Sequence, residues 1–144
     1  KRNEFNEPMD GLVYGVVVSL GFATYENYTY VYEWAERIAK EDGYDFVELS
    51  YLVALGRSYS AIPLHGLNGA VMGYYFGMYA FTGNKNFLIL SLLLPYLFHG
   101  FYNFLNWPDS MWVILLLIFC STYLHRELKN KQRLKKKEKE IKKI

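Results

Sequence analysis

Three residues with chemically useful side chains lie in or beside long apolar stretches of this sequence: Glu26, His65 and His99. A carboxylate inside a membrane span costs about 2.5–3.5 kcal/mol on insertion scales, so such a group usually faces a cavity or a functional site. Glu26 closes the apolar stretch DGLVYGVVVSLGFATYEN. The sequence therefore predicts a site that is built inside a membrane.

The same three residues are expected at one depth of the membrane on three different helices. With a rise of about 1.5 Å per residue, Glu26 lies near the outer end of its helix, His65 near the outer start of the next, and His99 in the outer half of the third. Asn103 follows His99 by four residues and shares its helix face, so it joins the predicted catalytic set. Two further polar residues beside this set are expected to support it: Asn27 and Tyr102.

Two kinds of chemistry fit a Glu, His and His cluster. The three side chains could hold a zinc ion with water in the open position, where zinc lowers the pKa of that water to about 7. Alternatively, Glu26 could take a proton from water while a histidine stabilises the oxyanion, with no metal. Either route hydrolyses an amide in a wet cavity. The HExxH motif is absent from the sequence, so the spacing leaves both routes open.

The elements that must position these residues are apolar segments, each near the length of about 20 residues that a span needs. They predict an all-α, polytopic transmembrane helical bundle. A transmembrane protease-like domain is expected over 1–125 and a basic cytoplasmic tail over 126–144. The four predicted spans are 9–30, 59–81, 86–105 and 110–124.

Glycine and proline refine this plan. Gly69, Gly73 and Gly77 repeat every four residues on the second span, a stripe of small residues that lets another helix approach closely and would position His65. Gly11 and Gly15 on the first span could play the same part. The prolines at 8, 63 and 108 are expected near helix starts, and the proline at 95 should free a carbonyl inside the third span.

The connection 32–58 is net acidic and is expected to carry two short helices. The first, 33–40, should end before Gly43. The second, 46–55, is apolar enough to lie on the outer membrane surface, and packing on the bundle fits it equally well.

Charge is strongly segregated along the chain. Ten Lys and Arg stand against three Glu from Arg126 onward, whereas the preceding residues carry six basic and eleven acidic groups. A basic tail on an apolar body is typical of a membrane protein and not of a nucleic-acid-binding protein. The positive-inside rule then predicts both ends in the cytoplasm, 32–58 and the turn 106–109 outside, and Lys85 inside. The tail is expected near anionic lipid, and the single cysteine excludes an internal disulfide.

Three blocks of this sequence resemble signature blocks of the PrsW family of intramembrane proteases, relatives of the CAAX prenyl endopeptidases. They are EPMDGLVYGVVVSLGFATYEN, RSYSAIPLHGLNGAVMGYYFG and HGFYNFL, in the family's order and spacing over Phe5 to Leu105. The resemblance implies cleavage of a membrane-anchored protein, typically an anti-sigma factor, near the outer face of a prokaryotic cell membrane. It places the family's polar motif residues at Glu26, His65, His99 and Asn103, and it leaves the metallo- and glutamic-type mechanisms both open.

The sequence departs from the family in one respect. The paired-glutamate block EExxK, which the family carries upstream of the first block, has no match here, since Glu4 and Glu7 lie in a hydrophilic lead-in. The chain also begins at Lys1, and we expect it to be a fragment of a longer protein. A non-catalytic membrane fragment and a proton- or ion-coupled transporter part are the alternatives, the latter because intramembrane Glu and His also mark proton relays.

Overall fold

The computed structural model describes residues 5–105 and 108–141, and every regular element in this part of the chain is helical, as the sequence predicts. The predicted inside location of Lys1 and Arg2 and the turn 106–109 fall wholly or partly outside the described residues, as do Glu4 and the last three residues of the tail. The helices are α1 (Pro8–Tyr28), a π-helical segment (Thr29–Trp34), α2 (Ala35–Asp42), α3 (Phe46–Tyr59), α4 (Ala61–Thr82), α5 (Lys85–Phe104) and α6 (Ser110–Ile141).

Local capping fixes the start of α1, the helix that carries Glu26. Pro8 occupies the first turn, and Glu7 and Asp10 form a reciprocal capping box in which the Asp10 carboxylate accepts from the Glu7 backbone N–H at 2.9 Å. The helical path then continues without a break through the π-helical segment into α2. Gly43 ends it with a φ of 77°, a left-handed conformation that glycine adopts without strain.

The next helices begin and end at residues suited to those positions. The Asp45 carboxylate accepts from the Glu48 backbone N–H at 2.8 Å and starts α3, which runs four residues past its predicted end. α4 and α5 match the second and third predicted spans to within two residues. Gly83, with a φ of 70°, ends α4, and the Asn84 side chain caps α5.

α1 and α4 pack directly against each other along the predicted glycine stripe. A Cβ added at Gly77 would lie 2.7 Å from the Pro8 carbonyl oxygen, and one added at Gly11 would lie 2.8 Å from the Gly77 Cα. The backbones of the two helices are therefore in contact, and the predicted role of the glycines in close approach is confirmed. We call this contact the glycine seam; it comprises Gly11, Gly15, Gly69, Gly73 and Gly77.

α5 and α6 pack on other sides of α4, and α6 closes the apolar core. Leu64, Val71 and Leu117 are fully buried at the centre of this core. α6 does not end at the predicted boundary near 124 but continues to Ile141, and Leu128 is still 2% exposed. The Tyr74 hydroxyl of α4 donates to the Glu127 carboxylate at 2.9 Å and links the start of the tail to the bundle.

Two helical stretches in the described part of the chain are long and apolar enough to cross a membrane: Lys85–Phe104 and Ser110–Leu134. Large apolar side chains also point outward along the bundle, among them Val17, Leu92 and Phe119, each more than half exposed. An apolar exterior of this kind is what lipid favours. These features support a membrane location, and the count of four spans stays a prediction.

Candidate functional site

Three helices bring Glu26, His65 and His99 together. Glu26 comes from the last turns of α1, His65 from the first turns of α4, and His99 from the last turns of α5. Glu26 Oε2 lies 3.0 Å from His65 Nε2, and the two imidazole rings are 5.0 Å apart at their centroids. One ligand atom from each residue lies within 4.8 Å of the other two. The convergence expected from helix depth is therefore present in the structure.

His65 is the most constrained member of the cluster. Its side chain is 4% exposed, and its ring meets the edge of Phe22 with centroids 5.5 Å apart. The Ser19 hydroxyl of α1 donates to the His65 backbone carbonyl at 2.7 Å. Gly69 lies one turn further along α4, in the glycine seam, so the distance between Glu26 and His65 depends on how closely the two helices approach.

His99 is oriented from its own helix. The Asn103 amide lies 3.3 Å from His99 Nδ1, the i, i+4 contact expected on one face of a helix. The tautomer decides what the other ring nitrogen offers the cluster: an amide donor at Nδ1 leaves Nε2–H to donate, whereas the amide oxygen turned to Nδ1–H leaves a lone pair on Nε2 for a metal. Tyr102 packs against the apolar core, and Asn27 is held by a neighbour from another helix.

That neighbour is Arg57 of α3, which the sequence analysis did not select. Its guanidinium donates to Glu26 Oε2 and to Asn27 Oδ1, both at 2.6 Å, and its side chain is 14% exposed. The guanidinium carbon also lies 4.2 Å from the centroid of the Tyr30 ring. Charge-assisted bonds from the planar fork of an arginine fix the orientation of the Glu26 carboxylate. The sequence feature that could have identified Arg57 is its position at the end of the net acidic connection 32–58, just before the second predicted span.

A second buried polar residue was also missed. Asn68, one turn along α4 from His65, is 4% exposed, and neither its amide nitrogen nor its carbonyl oxygen has a hydrogen-bond partner among the described residues. A buried amide without a partner costs about 1–3 kcal/mol. Asn68 belongs to the block PLHGLNG. An amide between apolar and small residues is the sequence feature that could have identified it as a buried polar residue.

The donor set suits a metal ion. Two histidines and one glutamate, with a fourth position open to water, form a common catalytic zinc set. Tetrahedral zinc needs ligand atoms about 3.3 Å apart, so the three atoms need small side-chain rotations to converge. Arg57 already occupies Glu26 Oε2, so binding requires either the other carboxylate oxygen or a shift of Arg57. The group could hold an ion once one of these adjustments is made.

Comparisons with known proteins show which proteins this chain resembles. Residues 1–124 match the model of a family described as PrsW family intramembrane metalloprotease. The chain is 35% identical over 122 residues to a protein named Protease PrsW from Clostridioides difficile (strain 630), covering 82% of this chain and 47% of that protein. It is 38% identical over 118 residues to a protein of the same name from Bacillus subtilis (strain 168), with 80% and 47% coverage. The chain thus spans about half the length of these relatives, and no solved structure gives a significant match.

Proposed function

Because the chain belongs to the PrsW family of intramembrane metalloproteases, we propose that it hydrolyses a peptide bond of a membrane-anchored protein at the cluster of Glu26, His65 and His99. The convergence of these three residues from three separate helices carries the proposal. Bringing a carboxylate and two imidazoles together among apolar helices, with His65 buried and the other two partly buried, is costly, so the arrangement needs a functional reason.

In the metal-free route the side chains divide the chemistry between them. Glu26 accepts a proton from the attacking water, and Arg57 holds its carboxylate in a fixed orientation. His65 and His99 face the same space and stabilise the negative charge that develops on the carbonyl oxygen. Asn103 sets the rotation of the His99 ring.

A zinc ion fits this proposal as a cofactor. It would be held by Glu26, His65 and His99, and when bound it polarises water and the scissile carbonyl. The donor set and the family description support the metal route, while the contact of Arg57 with Glu26 supports the metal-free route. The chelator arm of the assay below separates the two.

The setting of the reaction forms part of the proposal. We place the four predicted spans in a cell membrane with both ends of this chain in the cytoplasm and the cluster towards the outer face. The basic tail and the net acidic connection 32–58 support that orientation. The substrate class is a single-span protein of the anti-sigma-factor type, which the family resemblance implies.

Cleavage of a single-span membrane substrate by the full-length protein tests the function. We expect Glu26→Gln, His65→Ala and His99→Ala each to reduce cleavage by at least about 100-fold, because each removes a group that acts on the reacting atoms. His125→Ala and Glu41→Gln are the matched controls, since both side chains are exposed and lie outside the cluster.

The outcomes separate the alternatives. Loss of cleavage in all three variants at equal expression, with both controls active, supports one shared hydrolytic site. Full cleavage by the two histidine variants would show that the site is not catalytic, in agreement with a non-catalytic membrane fragment or a transporter part. Loss of wild-type cleavage on chelation, restored by added Zn²⁺, assigns the metal route.

A further inference from the structure

A second polar site lies between α4 and α5, one helical turn inward from His65. Its first component is Asn68, whose amide is buried and lacks a partner among the described residues. An amide offers two donors and can accept two hydrogen bonds, so it can hold more than one small polar molecule. Burial without any partner is rare enough in proteins that a ligand of this amide is expected.

The register of the two helices shows which part of α5 faces Asn68. The rings of His65 and His99 are 5.0 Å apart, and those of Tyr75 and Phe87 are 6.3 Å apart. These pairs fix an antiparallel register that places position 68 opposite 94–96. Asn68 also precedes Tyr75 by seven residues, so both lie on the face of α4 that meets α5.

The opposing stretch of α5 is the point where its hydrogen-bond ladder is interrupted. Pro95 has no N–H to donate, so the Ser91 carbonyl four residues earlier loses its helical partner. Ser91 is 1% exposed, and its hydroxyl donates to the Leu88 carbonyl at 2.7 Å, so that hydroxyl is already engaged. By the same register Ser91 lies opposite 71–73, about one helical turn from Asn68 along the helix axes. A buried carbonyl and a buried amide, both without their usual partners, thus lie on facing helices with a gap between them that one or two waters can bridge.

We propose that Asn68 and the Ser91 carbonyl bind water between α4 and α5 and that this water supplies the hydrolytic site at His65. Buried water is stable where it meets two to four polar groups, and an amide with a freed carbonyl meets that condition. Each peptide bond cleaved consumes one water, whose OH joins the acyl carbon and whose hydrogen joins the leaving amine. The supply role rests on the proposed function, whereas the water site itself does not.

Radiolytic hydroxyl-radical labelling of the protein in lipid nanodiscs detects such water directly. Leu64 is fully buried and lies four residues before Asn68 on the same face, so it reports water held there and not bulk solvent. We expect Leu64 to be oxidised in the wild type. When H₂¹⁸O is mixed in rapidly, ¹⁸O should appear in the oxidised Leu64 more slowly than in the oxidised side chain of Tyr59, which is exposed. Asn68→Leu should abolish that labelling, and Asn68→Ser should retain part of it.

Cleavage assays of the same variants test the supply role. We expect Asn68→Leu to lower kcat by about tenfold with KM unchanged, a change that corresponds to the loss of roughly one hydrogen bond to the supplied water. Asn68→Ser should recover part of that loss. The matched control is Asn86→Leu, the same change at an exposed position on α5, which should alter neither readout.

Two results would overturn the proposal. The water site is excluded if Leu64 is labelled no more strongly in the wild type than in Asn68→Leu. This conclusion does not depend on the cleavage rate of Glu26→Gln. Loss of labelling in Asn68→Leu with full kcat excludes the supply role. The proposed function fails on a different observation, namely full cleavage by the cluster variants, so the two failures are distinguishable.

Discussion

A single methyl group added at Gly15 should damage the site without touching it. Gly15 lies on α1, three turns from Glu26, and contacts the backbone of α4 at Gly69 and Gly73. Gly21 lies on the same helix, and a Cβ added there meets nothing within 4 Å. Gly15→Ala and Gly21→Ala therefore differ only in whether the glycine seam can close.

The size of the effect follows from the distances. A Cβ at Gly15 would lie 2.7 Å from the Gly73 Cα, where ordinary contact begins at 3.4 Å, so the helices must part by about 0.7 Å or more. Backbone atoms cannot rotate away as a side chain can. Overpacking of this kind costs about 1–3 kcal/mol of stability. A similar displacement would stretch the 3.0 Å contact between Glu26 and His65 beyond hydrogen-bond range.

Cleavage and thermal unfolding should be measured on both variants in the same lipid. We expect Gly15→Ala to lose about 10- to 100-fold in cleavage rate, because displacements near 1 Å are costly to catalysis. Gly21→Ala should keep full activity and gain up to about 1 kcal/mol from better helix propensity. Equal activity and equal unfolding temperatures for the two variants would refute the reasoning from the seam.

Two other contacts give further tests. Arg57→Gln should lower kcat by about tenfold or more, because Glu26 loses the group that orients it; Arg57→Lys should fall between, since an ammonium cannot bridge Glu26 and Asn27 as a planar fork does. An unchanged kcat in Arg57→Gln would exclude the positioning role. Tyr74→Phe should cost about 1 kcal/mol in unfolding free energy through the lost bond to Glu127, with cleavage unchanged; reduced cleavage would instead couple the tail to the site.

The meeting of Glu26, His65 and His99 could be predicted from sequence because it depends on little more than helix rise. The position of a polar residue along an apolar helix gives its depth in the membrane, and three polar residues at one depth imply a shared cavity. The close approach at Gly69 and Gly73 could be predicted for a similar reason, since the absence of a side chain is itself the packing signal.

Arg57 could not be predicted in the same way. It belongs to a helix in a connection, and its position depends on how the π-helical segment and α2 turn the chain back towards α4. No periodicity within Phe46–Tyr59 encodes that return. Asn68 was missed because a single amide beside glycines is typical of a residue that packs between helices. Only its burial without a hydrogen-bond partner among the described residues distinguishes it from such a residue.

The glycine seam also limits how a substrate can reach the site. Where two backbones touch, neither a lipid chain nor a peptide can pass between them, so the side of His65 that faces α1 is closed. On α5, by contrast, His99 is only partly buried, and Tyr96 and Phe101 of the same helix are each more than half exposed. If the cluster cleaves a membrane-anchored segment as we propose, we expect that segment to approach from the side of α5 and to be selected by residues of α5.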